Sequence, residues 1–275
     1  MRLPLYQVDA FTSAVFAGNP AAVCPLERWL DERLMRAIAA ENNLSETAFF
    51  VPTHGGGPAR DGYAGGTGRD YDIRWFTPVA EIDLAGHPTL ATAFVIFHWL
   101  DPGRTSAIFH SKSGPLVVER GGDLLSMEFP SRPPGACEAM EGLSAALGAA
   151  PREVLMSRDL LAVYGSEEEV RALRPDVARV AALGVHAVCV TAPGRDCDFV
   201  SRFFAPLLGI PEDPVTGSAH CTLIPYWSRR LRKRTLHARQ VSARGGELFC
   251  EDLGARVIIA GRAVPYLAGM IEIPG

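Results

Sequence analysis

The alternation of apolar and polar positions divides the chain into short strand-like runs set around two long, largely apolar helical stretches. Leu3 to Ala10 reads as a strand, and Gly18-Asn19-Pro20 marks a turn ahead of the apolar Ala21-Ala22-Val23-Cys24. Leu30, Leu34, Ala37 and Ile38 recur at helical spacing, which predicts a helix over 27–41 that stops at Asn42-Asn43. Thr47 to Val51 then reads as a strand with Glu46 at its entrance. Residues 54–70, rich in glycine, have no apolar period and are expected to form a mobile surface excursion. They are no phosphate loop, because the lysine of G-x-x-x-x-G-K-[ST] is missing and no apolar helix follows directly. From His87 to Leu100 the chain is apolar nearly all round, which predicts a helix enclosed by other elements; Pro88 suits its opening and Asp101-Pro102-Gly103 its end. Ala107 to Ser111, Leu116 to Arg120 and Leu124 to Phe129 follow as short strands bounded by Gly, Pro or Asp, an antiparallel α+β texture.

The second half echoes the first. Arg202-Phe203-Phe204-Ala205-Pro206 resembles Arg74-Trp75-Phe76-Thr77-Pro78, and each precedes a glycine-opened helix, at Gly86-His87-Pro88-Thr89 and at Gly217-Ser218-Ala219-His220. The second helix is expected to run to about Arg230 with a kink at Pro225, whose ring displaces the carbonyl four residues back. The chain is therefore expected to hold two similar domains, 1–115 completed by a C-terminal strand over 262–275, and 116–261, each wrapping sheet around one buried helix.

Composition removes several classes of function. With 275 residues, 48% of them hydrophobic, the chain can bury a real core. Its 25 arginines stand against two lysines, Lys112 in a strand-end turn and Lys233 in a solvated basic cluster, so lysine-based Schiff-base chemistry is disfavoured. A net charge of −4 disfavours wholesale nucleic-acid binding, and Arg229-Arg230-Leu231-Arg232-Lys233-Arg234 reads as a charged helix end. The six cysteines form no C-x-x-C pair, which supports neither a structural zinc site nor a redox pair and fits free thiols in a reducing cytoplasm. The N-terminus has no long apolar stretch, and no segment approaches the roughly 20 apolar residues needed to cross a bilayer. Secretion and membrane insertion are not expected.

Two buried helices that begin with small residues present unpaired backbone N–H groups and the positive end of the helix dipole, which attract anions. Both starts are expected to face one cleft and to hold a carboxylated small molecule, with Gly86 and Gly217 allowing close backbone approach. The titratable candidates are Glu46, His87 and Asp213. A carboxylate beside Thr47-Ala48-Phe49-Phe50-Val51 is expected to have a raised pKa, which suits a general base that later serves as a general acid. Each candidate also has a structural reading. Asn43 and Glu46 have capping-box spacing, His87 fits a helix-capping or packed imidazole, and Asp213 fits the cap of the turn that follows it.

Five ordered strings carry a resemblance to a known family. They are Val8-Asp9-Ala10-Phe11-Thr12 with Gly18-Asn19-Pro20-Ala21-Ala22-Val23; Leu44-Ser45-Glu46-Thr47-Ala48-Phe49; Arg74-Trp75-Phe76-Thr77-Pro78 with Asp83-Leu84-Ala85-Gly86-His87-Pro88-Thr89; Glu212-Asp213-Pro214-Val215-Thr216-Gly217-Ser218-Ala219-His220; and Gln240 with Arg244-Gly245-Gly246. Together they resemble the phenazine-biosynthesis isomerase-like (PhzF) family over nearly the whole chain. The resemblance implies a diaminopimelate-epimerase-like α+β fold: two pseudo-symmetric domains, each a mostly antiparallel, barrel-like sheet around a central helix, with the site between them and a homodimer as the assembly. It assigns proton transfer to Glu46 and puts His87, Asp213 and Ser218 at positions that line the site and hold the substrate; Glu46, His87 and Asp213 are thus the expected catalytic residues, and Asn19, Gly86, Gly217 and Ser218 the expected substrate-binding ones. Related epimerases and racemases use two cysteines, one opening each central helix. The matching places here are about Ala85 and Val215, and Cys221 lies roughly a turn and a half into its helix.

The expected function is a cytoplasmic isomerase, free of cofactor and metal, that moves a proton on a small carboxylated metabolite with Glu46 as acid and base. No nucleic-acid or membrane partner is expected. The alternatives are a non-catalytic metabolite-binding protein on the same fold and an epimerase or racemase that uses Cys221.

Overall fold

The computed structural model describes residues 1–53, 70–138 and 140–273, so the glycine-rich stretch 54–69 lies outside the described residues. The chain forms two compact units, the first made of Met1–Val15, Pro20–Met127 and Arg262–Gly275 and the second of Phe16–Asn19 and Glu128–Gly261. It is an α+β protein in which strands dominate.

The first unit is organised by β1 (Arg2–Ala10), β2 (Asn19–Pro25), α1 (Glu32–Asn42), β3 (Glu46–Pro52), β4 (Tyr71–Phe76), β5 (Glu81–Ile82), α2 (Gly86–Val95), β6 (Ser106–Ser111), β7 (Gly114–Gly121) and β8 (Leu124–Pro130). β2 runs parallel to β3, β3 antiparallel to β4, β4 antiparallel to β5 and parallel to β6, and β6, β7 and β8 follow as an antiparallel meander. The last strand of the chain, Ala263–Glu272, pairs antiparallel with β1 from Arg2↔Glu272 to Ala10↔Ala263. α1 starts later than apolar spacing alone predicts, because the Asp31 carboxylate accepts the Arg33 N–H at 2.9 Å and fixes the first turn there. It ends at Asn43, which takes the left-handed conformation (φ 49°) that asparagine tolerates better than most residues.

α2 carries no charged residue, and eight of its ten residues are buried against β1, β3, β7 and the last strand. Its two threonine hydroxyls are satisfied inside the helix, Thr89 on the Ala85 carbonyl at 2.6 Å and Thr92 on the Pro88 carbonyl at 2.7 Å. The α-helical pattern stops at Val95, short of the expected Leu100. Ile96–Leu100 continues as a π turn closed by the Asp101 N–H on the Ile96 carbonyl at 2.7 Å. In this wider turn Trp99 stacks on Tyr6 at 4.8 Å and His98 on Phe94 at 5.0 Å.

The second unit contains β9 (Gly135–Ala136), α3 (Leu143–Leu147), β10 (Glu153–Met156), β11 (Leu160–Val163), α4 (Glu167–Ala172), α5 (Val177–Ala182), β12 (Val188–Pro193), β13 (Phe199–Ala205), β14 (Ile210–Asp213), α6 (Gly217–Leu231), β15 (Thr235–Gln240), β16 (Gly246–Asp252) and β17 (Arg256–Gly261); the strand Ala263–Glu272 is then β18. β11 is parallel to β12, β12 antiparallel to β13, β13 antiparallel to β14 and parallel to β15, and β15 to β17 form an antiparallel meander. This is the pairing order of β2 to β8, with α6 in the place of α2.

The echo between the two arginine-aromatic strings has a structural cause. On β4, Arg74 makes a two-pronged bond to Glu81 of β5 and lies 5.1 Å from the Phe76 ring. On β13, Arg202 does the same with Glu212 of β14 and lies 5.1 Å from the Phe204 ring. α6 continues through Pro225 to Leu231. The Cys221 carbonyl, which Pro225 cannot bond, is taken by the Arg132 N–H at 2.9 Å, so the proline leaves no buried acceptor open.

Candidate functional site

In the first unit, Glu46 is the first residue of β3, paired with Ala21 of β2, and is 7% exposed. Asn43 closes α1 and starts no helix, so the capping-box reading of Asn43 and Glu46 does not hold. The loop between them is tied by the Asn42 amide, which donates to Thr47 Oγ1 at 3.0 Å. His87 is the second residue of α2 and 6% exposed. Its Nε2 stands 3.1 Å from Glu46 Oε2.

The imidazole also hydrogen-bonds the Pro20 backbone, while Nε2 makes no hydrogen bond other than its approach to Glu46. That bond therefore belongs to Nδ1. Since proline offers only a carbonyl, Nδ1 carries the proton and donates it. Burial pushes the His87 pKa down to about 3, only partly opposed by the Pro20 bond, so the ring is neutral near pH 7 with its Nε2 lone pair turned to Glu46. Gly86 opens α2 behind Ala85, which has no side chain able to cap the helix, so no capping side chain occupies this helix start.

In the second unit, Asp213 ends β14 and is 8% exposed. The fully buried Asn19 amide donates to Asp213 Oδ1 at 2.8 Å and to the Val215 carbonyl at 2.9 Å. The Thr216 hydroxyl donates to Asp213 Oδ2. Burial is the largest influence on the carboxyl and lifts its pKa to about 6, against the pull of these two donors. Asp213 does not cap α6. Gly217 and Ser218 are the first two residues of that helix, and its N-cap, Thr216, makes no capping bond with its side chain.

Segment 16–19 is held in place by the loop after β15. The Gly18 N–H donates to the Gly245 carbonyl at 2.8 Å, and the Arg244 guanidinium donates to the Gly18 and Ala17 carbonyls at 2.8 and 2.9 Å. Gly245 has φ +66°, a conformation open to glycine.

The expected residues thus fall into two groups, Glu46, His87 and Gly86 in the first unit and Asn19, Asp213, Gly217 and Ser218 in the second. The roles of Thr216, Gln240, Arg244 and the Pro20 carbonyl escape the pattern of the sequence. All four belong to the family-like strings, which is the signal the sequence offers for them. Cys221 is 3% exposed and its thiol is pushed up to about 11, chiefly by burial.

Residues 8–269 match the family described as "Phenazine biosynthesis-like protein". An uncharacterized isomerase of Pseudomonas aeruginosa is 50% identical over 273 residues, 99% of this chain and 100% of the relative. An uncharacterized isomerase of Halalkalibacterium halodurans is 39% identical over 273 residues, 97% of each chain. The crystal structure of a phenazine biosynthesis protein of the PhzF family from Enterococcus faecalis matches at TM-score 0.91 and 47% identity, covering 99% of this chain and 100% of that one.

Proposed function

The chain belongs to the phenazine biosynthesis-like (PhzF) family and is an isomerase, and from that premise we propose that it moves a proton within a small carboxylated substrate by general acid/base catalysis at Glu46, without a cofactor. The observation that carries this reading is the 3.1 Å approach of Glu46 Oε2 to the Nε2 of a buried, neutral His87. Glu46 takes a proton from a carbon made acidic by conjugation or an adjacent carbonyl. The C–H electron pair enters the conjugated system, the proton on the carboxyl exchanges with solvent, and the carboxyl then delivers a proton to another carbon, where a new C–H bond forms. His87 Nε2 accepts a hydrogen bond from the carboxyl that forms when Glu46 takes the proton, which stabilises that protonated state.

Two further observations support the reading. Asp213, lifted to about 6, can hold or release a proton near neutral pH. The helix starts at Gly86 and Gly217 carry no side-chain cap, which suits them to a substrate carboxylate or to negative charge that develops in the reaction. We extend the proposal to a homodimer in the cytoplasm. The six free cysteines accord with that compartment, and no helix among the described residues is long and apolar enough to cross a membrane.

The test is hydrogen exchange. The protein is incubated with a panel of small unsaturated and 2-keto carboxylic acids in deuterated water, and carbon-bound deuterium is read by mass spectrometry. Exchange that depends on Glu46 supports the reading. Tight binding of an acid with no exchange would favour a metabolite-binding protein.

A further inference from the structure

Gln240, at the end of β15 and 1% exposed, is bonded at both ends of its amide. Its Oε1 accepts the Thr216 N–H at 2.8 Å, and its Nε2 donates to the Asp213 carbonyl at 2.7 Å and to Thr216 Oγ1 at 3.2 Å. The opposite orientation of the amide would set its NH2 group against the Thr216 N–H, so the network fixes which end is oxygen. Because Gln240 donates to Thr216 Oγ1, the hydroxyl's own hydrogen is directed away from Gln240 and onto Asp213 Oδ2. Thr216 is held as well through its carbonyl, which accepts from His220 Nδ1 at 2.8 Å. An N-cap threonine ordinarily spends its hydroxyl on the first turn of its own helix. Here the hydroxyl is turned to a carboxylate, and a glutamine 24 residues further on takes the threonine's own N–H.

We propose that Gln240 and Thr216 are positioning residues that aim a single hydroxyl proton at Asp213 and so set how readily that carboxylate exchanges a proton with substrate. The inference rests on the reading that Asp213 takes part in the proton transfer. Every member of the network is buried, with Asn19 at 0% and Thr216 at 7% exposed, and a hydrogen bond in such surroundings is stronger than one in water. Among the described residues, the hydrogen bonds to the Asp213 carboxylate come from Asn19 and Thr216 alone.

The charged and titratable groups on the surrounding elements are already engaged. Glu212 is held by Arg202 of β13, Arg244 by the carbonyls of segment 16–19, and His220 of α6 by the Thr216 carbonyl, with burial keeping that ring neutral at about 4. This leaves the Thr216 hydroxyl, with Gln240 behind it, as the adjustable contact.

The experiment is a 13C carboxyl titration of Asp213 by NMR on the whole chain, with the signal assigned from Asp213→Asn. Thr216→Val is expected to raise the titration midpoint by about one pH unit, a tenfold change in proton affinity. Thr216→Ser is expected to restore it. Gln240→Met is expected to move the midpoint in the same direction, and Thr216→Val with Gln240→Met to shift it no further than Thr216→Val alone, since Gln240 acts through the threonine. An unmoved midpoint in Thr216→Val, no difference between Val and Ser at 216, or full additivity in the double variant would overturn the proposal. Should Gln240→Met not fold, the comparison of Val with Ser at 216 still decides it. The titration involves no substrate, so its outcome is separate from any failure of the Glu46 chemistry.

Discussion

Glu46 Oε2 and His87 Nε2 stand 3.1 Å apart, and the other nitrogen of the ring is committed to the Pro20 carbonyl. Once Glu46 has taken a proton, its carboxyl can donate it to the Nε2 lone pair, so the pair holds the protonated form that proton abstraction creates. The Pro20 bond fixes the tautomer, and the tautomer fixes which partner supplies the proton.

The tautomer can be read directly. His87, pushed down to about 3, is expected to show no titration between pH 5 and 8, with its proton on Nδ1 throughout. Two-dimensional 15N NMR of the imidazole resonances checks this. A midpoint near 6.5 would mean that the ring is hydrated and charges freely.

Acid stability follows from three buried groups with opposite signs. The folded-state values of His87 (about 3) and His220 (about 4) lie below the unfolded 6.5, so their contribution is complete above pH 6.5 and is lost as the pH falls toward those values. Asp213, raised from 3.8 to about 6, contributes stability below pH 3.8 that is lost as the pH rises through 6. Between pH 6 and 4 the unfolded chain therefore binds about one proton more than the folded one, and stability falls with decreasing pH by on the order of 1 kcal/mol per pH unit from these groups. Urea unfolding at a series of pH values checks the slope, which Asp213→Asn is expected to steepen by removing the opposing proton.

The repeated arginine pairs are expected to matter for the fold. Glu81 accepts from Arg74 and Lys112 with its side chain 8% exposed, and the Arg74 bond above all holds its carboxyl down at about 2. Glu81→Gln is expected to cost about 1–3 kcal/mol. Glu212→Gln, at a side chain 27% exposed, is expected to cost less. Because the folded value lies below 4.5, the Glu81 contribution is present above that pH and is lost as the pH falls toward 2.

Much of the fold is legible in the sequence where the pattern is local. The apolar run from His87 onward could only be an enclosed helix, and the two arginine-aromatic strings share a partner geometry that spacing alone cannot reveal. The π turn after Val95 escapes the pattern, and within it Trp99 packs on Tyr6, more than 90 residues away in sequence. The proline at 225 announces itself in the sequence, whereas the group that takes the freed Cys221 carbonyl, the Arg132 N–H, comes from a distant part of the chain. In the candidate site, Glu46 and His87 stand out by residue type. Thr216 reads as an ordinary helix cap, and its other use depends on Gln240 from a different strand.

The thiols separate the isomerase reading from a thiol-based one. Cys24, Cys189, Cys221 and Cys250 are buried, and burial raises the pKa of each. They are expected to resist a disulfide reagent at pH 8 until the chain unfolds, while the half-buried Cys137 reacts first and Cys197, pushed up to about 11 chiefly by burial, reacts more slowly than Cys137. Cys221→Ala is expected to leave proton exchange within about twofold of the parent; a collapse of exchange would point to a thiol acid or base.

The most direct measurement is deuterium incorporation into a turned-over carboxylic acid by Glu46→Gln beside the parent chain. The account predicts a folded variant with an unchanged thermal midpoint to within a few degrees, retained binding of the acid, and exchange reduced by a factor of about 10²–10⁴. A folded Glu46→Gln that exchanges at the parent rate would contradict it.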